Sequence, residues 1–233
     1  MPKKHQNYKS KKEIDVFIKS GVEIRPINQF GQWTSNDLRY REFAHELLAE
    51  LNTQCTEFLE EFPFEADHTI TREAYPDLWT RDKIRFRTSD TVRIYSAMAV
   101  EGFLNFYGVI RLGNTVYDEW FEQLGLVTKL RSLLKVCDNL DVQENDPITL
   151  FLDKVAFSRN ELVHPKVRKI PDDTTSYERP SDKLPETAQE SVQNMEAFFE
   201  AFLLAVPGIP ANILESKRDL TNRLFQPTIF CND

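Results

Sequence analysis

The stretch from Ile94 to Ile110 constrains this chain more than any other part of it. Its one charged residue is Glu101, and apolar or small side chains fill nearly every turn. A helix of that composition is apolar around its whole circumference, so it has to sit at the centre of the packing. The run is too short for a bilayer span and carries Glu101 and Asn105 in its middle, which predicts a core helix and no membrane segment. The spacing extends this helix from Thr88-Ser89-Asp90 through Met98, Phe103, Leu104 and Tyr107 to Gly113.

A central helix needs others to cover it, and the pattern supplies them. Thr34-Ser35-Asn36-Asp37 offers N-cap residues to a helix carrying Leu38, Phe43, Leu47, Leu51, Cys55, Phe58 and Leu59, closed by Pro63. Residues 64–87 have no clean period and read as irregular, with at most one short helix. Leu126, Leu130, Leu133, Leu134 and Val136 form one face of a shorter segment whose Lys129, Arg131 and Lys135 are expected to point outward. Asp146-Pro147 reads as a cap followed by proline at the first helical position, opening a helix through Leu150, Phe151, Val155, Phe157, Leu162 and Val163 that Pro165 ends. A last helix, 187–206, carries Phe198, Phe199 and Phe202 as core residues before Pro207-Gly208. With no strand signal, the expected fold is all-α, an antiparallel bundle of four to five helices. The boundaries drawn are a basic arm and extended lead-in over 1–33, a helical domain over 34–206 with a flexible connection at 170–186, and a C-terminal extension over 207–233.

Composition narrows the function. At 233 residues and 41% hydrophobic content, the chain can build a core without disulfides or metal. Its cysteines, Cys55, Cys137 and Cys231, are odd in number and lie far apart. Its histidines, His5, His45, His68 and His164, lack metal-ligand spacing. No metal and no cofactor are expected. The polar, basic start does not read as a secretory leader, so a reducing, cytoplasmic setting is expected. A net charge of −8 speaks against a general nucleic-acid binder and confines any such contact to a local patch.

One polar group stands out at the end of the helix before Pro165. Arg159, Asn160 and His164 lie among Val155, Ala156, Phe157, Leu162 and Val163. Asn160 and His164 are a turn apart on one face, while Arg159 and His164 are separated by roughly 140°, so they can address one pocket only across a helix end or an interface. Proline disfavours helical geometry at the residue before it. His164 is therefore expected at the C-terminal edge, where the helix dipole favours the protonated imidazole. Arg159 is a candidate partner for Glu101, because an isolated carboxylate in so apolar a helix needs a cation or hydrogen-bond donors.

This arrangement, Arg159-Asn160 followed by His164 near the end of a late helix, resembles the signature of HEPN domains, and the run Ser96 to Asn105 with its Glu101 resembles their central helix. The resemblance implies a symmetric homodimer that juxtaposes two copies of the motif. It also implies a metal-independent endoribonuclease, acting as a toxin or phage-defence effector, with RNA as substrate and a neutralising partner protein. His164 would move the proton during attack of the RNA 2′-hydroxyl on the adjacent phosphate, Arg159 would hold the phosphate, and Asn160 would orient His164 or the substrate, with Glu101 in support. A catalytically inactive dimerisation or nucleotide/RNA-binding module is the alternative. Some members carry a modifiable tyrosine two residues after the histidine; Lys166 stands there instead. Lys166, Arg168 and Lys169 form a local basic collar suited to a phosphate backbone.

Overall fold

A computed structural model describes residues 22–27, 35–61, 76–163 and 184–214, and the regular secondary structure among them is helical, with no strand. The helices are α1 (Asp37–Glu61), α2 (Pro76–Leu112), α3 (Asn114–Trp120), α4 (Leu126–Asp138), α5 (Pro147–Val163) and α6 (Leu184–Ala205), followed by a short 3-10 turn, Ala211–Leu214. None of them is long and apolar enough to cross a membrane.

The apolar run behaves as its composition demands. Ala97, Ala99, Val100, Phe103, Leu104 and Tyr107 are fully buried, and α2 packs against each of the other five helices. Its main aromatic contact is with α6: Phe103 meets Phe199 and Phe202 edge-on at ring-centroid distances of 5.4 and 4.9 Å, and Tyr107 meets Phe202 at 5.1 Å. Edge-to-face pairs of this kind add about 0.5–1.5 kcal/mol each beyond their burial. Phe198, Phe199 and Phe202 are core residues, as their spacing indicated.

Four sequence expectations need correction. The second helix begins at Pro76, a turn-opening residue, and not at Thr88. Thr88, like Thr91 and Ser96, turns its hydroxyl back onto the carbonyl four residues earlier, at 3.1, 2.7 and 2.9 Å, which removes the capping role its type suggested. The added turns hold because Arg85 pairs with Asp82 one turn back and stacks 3.6 Å above the Phe58 ring of α1. Second, α3 is a seven-residue helix too short to leave a periodic signal. Third, α6 starts at Leu184, inside the stretch expected to be a loop. Fourth, Lys129 of α4 is buried, not outward-facing. The remainder of the 170–186 connection, the basic arm through residue 21, and residues 215–233 lie outside the described residues.

Other expectations match. Pro147 opens α5, with the Asp146 carbonyl accepting from Thr149 at 2.9 Å and from Leu150 at 3.0 Å. The Asp146 carboxylate turns outward from that helix and accepts the Gln143 amide at 2.7 Å. Residues 22–26 of the lead-in have no regular secondary structure, and Arg25 donates its backbone N–H to the Arg111 carbonyl at 2.8 Å, at the end of α2. Ile213, beyond the expected domain end, is fully buried in the same core.

One glycine is required by packing. A Cβ at Gly108 would lie 2.4 Å from the Tyr117 ring, so α3 can cross α2 only because position 108 has no side chain. Gly108→Ala is expected to cost about 1–3 kcal/mol, read as a lower denaturant midpoint with an unchanged slope. An unaltered midpoint would mean that α3 does not press on α2.

Candidate functional site at the end of α5

The last described turns of α5 carry Arg159 and Asn160. Arg159 is half-buried and Asn160 exposed, about 100° apart round the helix. His164, Lys166, Arg168 and Lys169 lie outside the described residues.

What fixes this helix end is a residue the sequence did not single out. Arg93 of α2, its side chain 11% exposed, donates to Ser158 Oγ at 2.9 Å, to the Ser158 carbonyl at 2.8 Å and to Glu161 at 3.2 Å. A guanidinium that satisfies a carbonyl in the last turns of a helix also opposes the negative end of its dipole. Ser158 Oγ lies 2.8 Å from Ser191 Oγ of α6, and Ser191 in turn donates to the Thr187 carbonyl at 3.0 Å. Three helices therefore meet at the residue next to Arg159. Asp90, 3.9 Å from Arg93, has its carboxyl raised above the ordinary range by burial, with the Arg93 charge pulling the other way.

The expected partnership of Arg159 with Glu101 is not formed. Arg93 reaches Ser158, and Glu101 lies eight positions further along α2, about 12 Å away at the rise of an α-helix. Among the described residues no ion pair joins the two. Glu101 instead acts electrostatically on Lys129 and Tyr117. Lys129 Nζ donates to Asn105 Oδ1 at 2.8 Å, and Tyr117 Oη donates to the same oxygen at 2.5 Å. Burial lowers the Lys129 ammonium below its usual range, although Glu101 and Glu122 oppose the shift. Asn105, Tyr117 and Lys129 thus form a polar knot joining α2, α3 and α4, and the Glu101 charge acts on two of its members.

Two further polar groups lie away from α5. At the far end of α2, Arg111 donates to Asp138 at 2.7 Å and to the Cys137 carbonyl at 2.5 Å, and Tyr107 also donates to Asp138. The Cys137 thiol is pushed up to about 12 by burial, which leaves it unreactive. Between α1 and α6, an open groove of about 430 Å³ is lined by His45, Asn52, Gln193 and Glu196. Burial alone would raise the Glu196 carboxyl, but hydrogen bonds and charge from Arg41 and His45 outweigh it and hold it below the usual range. A carboxyl depressed by folding stabilises the fold above its unfolded value, near 4.5, and loses that contribution as pH falls through the folded value. Acid titration of thermal stability should therefore show a drop below that pH which Glu196→Gln reduces; identical acid profiles would refute the assignment.

Among the described residues no cluster of three or more histidine, cysteine or acidic side chains could hold a metal ion. No family model, no curated protein and no solved structure matches the chain.

Proposed function

We propose that the chain is a metal-independent endoribonuclease of HEPN type that works as a two-fold dimer in a toxin or phage-defence setting. The observation that supports this reading most is the placement of Arg159 and Asn160. Both stand in the last turns of a helix tied to two neighbours, at the point where the chain leads into His164 and the basic collar of Lys166, Arg168 and Lys169. The chemistry needs little else. His164 takes the proton from the ribose 2′-hydroxyl as that oxygen attacks the adjacent phosphorus, and the bond to the leaving oxygen breaks as a proton returns to it. The products are a cyclic phosphate on one fragment and a free hydroxyl on the other. Arg159 meets two phosphate oxygens with its planar fork, stabilising the charge that builds there.

Purified protein is expected to cut single-stranded RNA in the presence of a chelator. An RNA left whole at every protein concentration would favour the alternative, a non-catalytic dimerisation or nucleotide/RNA-binding module.

A further inference from the structure

The N-terminal half of α2 carries Arg81, Lys83, Arg85, Arg87 and Arg93, and the fold uses three of these cations. Arg81 pairs with Glu61, Arg85 with Asp82, and Arg93 with Glu161 at 3.2 Å and Asp90 at 3.9 Å. Asp77 stands in the first turn, at the positive end of the helix dipole. Lys83 and Arg87 are left over. Both are exposed, and neither side chain has a hydrogen bond or an ion pair among the described residues. Four positions apart, they are neighbours on the helix surface. Phe86 lies between them in sequence and seven positions before Arg93, so it stands on the flank of α2 where α5 ends. It is half-buried, outside the core cluster, and meets no other ring among the described residues.

The direction of α5 brings this flank beside the candidate site. α4 docks on the far half of α2, where Lys129 reaches Asn105 and Asp138 reaches Arg111. The link from α4 to α5 is short, and Arg131 of α4 holds it at the Val142 carbonyl, 3.0 Å away, so α5 opens near that half. By Ser158 it has arrived at Arg93. It therefore runs antiparallel to α2. Val163, five residues past Ser158, is carried about 7.5 Å further, and Arg87, six positions before Arg93, lies about 9 Å along α2 in the same direction. The helix that ends one residue before His164 thus ends level with Arg87.

We propose that the RNA strand cut at the end of α5 continues along this flank of α2, with its phosphates on Lys83 and Arg87 and one base stacked on Phe86. This rests on the RNA reading above and extends it from the point of cleavage to the length of strand held. The chemistry selects single-stranded RNA, because a base inside a duplex keeps its faces against its neighbours and only an unpaired base is free to stack on a ring. Every base has a π-face, so the path should tolerate any sequence. Elsewhere the surface repels a phosphate chain: α6 carries Glu186, Glu190, Glu196 and Glu200 and no cation.

Titration of the full chain with a 2′-O-methyl oligonucleotide of mixed sequence, which lacks the attacking hydroxyl and stays whole, tests the path over a series of salt concentrations. Lys83→Gln and Arg87→Gln should each flatten the dependence of log affinity on log salt by about 0.7, the contribution of one phosphate contact on a single strand, and together weaken binding at least about tenfold at low salt. Phe86→Leu, which keeps an apolar side chain, should weaken binding about fivefold to a hundredfold without moving the salt slope. Arg39→Gln removes the same charge from an exposed position on α1 and should change neither. Matched melting curves confirm that the variants fold. Salt slopes unchanged in both charge variants, a Phe86→Leu chain that binds like the wild type, or an Arg39→Gln loss as large as that of Arg87→Gln would each overturn the proposal. So would polyglutamate that displaces the oligonucleotide at equal charge, since the surface would then suit an acidic protein. A chain that binds along this path but leaves cleavable RNA whole would refute the ribonuclease reading and keep the path. A chain that cuts RNA, with wild-type salt slopes in both charge variants, would do the reverse.

Discussion

His164→Ala is expected to lower RNA cleavage by about a hundredfold to ten-thousandfold, the range a positioned general acid–base group supplies, while RNA binding stays close to wild type. An imidazole that moves a proton contributes chiefly at the transition state, so its loss appears in turnover and not in the complex. Arg159→Ala should behave differently and weaken both, because a cation on the phosphate is engaged before and during reaction. Arg159→Lys should restore only part of the loss, since an ammonium cannot reproduce the two parallel hydrogen bonds of the guanidinium fork. The structure separates this test from a folding artefact, because Arg159 makes no ion pair with Glu101 and the helix end is held by Arg93. Gel assays of cleavage beside a binding titration, on variants with matched melting curves, decide it. A His164→Ala protein that cleaves like the wild type would end the acid–base assignment.

The second large effect concerns stability alone. Asp138→Ala removes the carboxylate that Arg111 and Tyr107 share, with Arg111 and Asp138 side chains only 10% and 7% exposed. Leaving one member of a buried ion pair uncompensated costs about 3–5 kcal/mol, equivalent to a fall of about 6–20 °C in melting temperature for a chain of this size. Tyr107 sits in the same aromatic group as Phe202, so the damage should reach the α2–α6 contact. Asp138→Asn, which keeps an acceptor for both donors, should lose less. Equal losses in the two variants would mean that charge is not what matters at this position.

These expectations divide the molecule into what its sequence made plain and what it hid. The central position of α2 followed from the near absence of charge between Ile94 and Ile110, and the core role of Phe198, Phe199 and Phe202 from their helical spacing; both are properties of one segment. The start of α5 at Pro147 was equally local, resting on a cap and a proline. What stayed hidden depends on contacts between distant segments. The turns from Pro76 to Arg87 look too charged for a packed helix until Arg85 is seen stacked on Phe58 of another helix. Lys129 looked like a surface lysine because its partners, Asn105 and Tyr117, come from two other helices. Arg93 went unnoticed for the same reason: it lies 65 positions from the serine it holds. At the candidate site, Arg159 and Asn160 stand at the helix end where the sequence put them, while the choice of Glu101 as partner rested on charge alone and failed on distance.

The hub position of α2 bears on how the molecule opens. Every other helix docks on it, so exposing its middle amides to solvent requires most of the fold to come apart at once. Hydrogen exchange at Val100, Phe103 and Leu104 should therefore follow the free energy of global unfolding. The short α3, with four of its seven residues exposed, can detach on its own and should exchange by a separate, cheaper opening. A denaturant series would resolve the two: the α2 amides should respond steeply, with the slope of complete unfolding, and the α3 amides hardly at all.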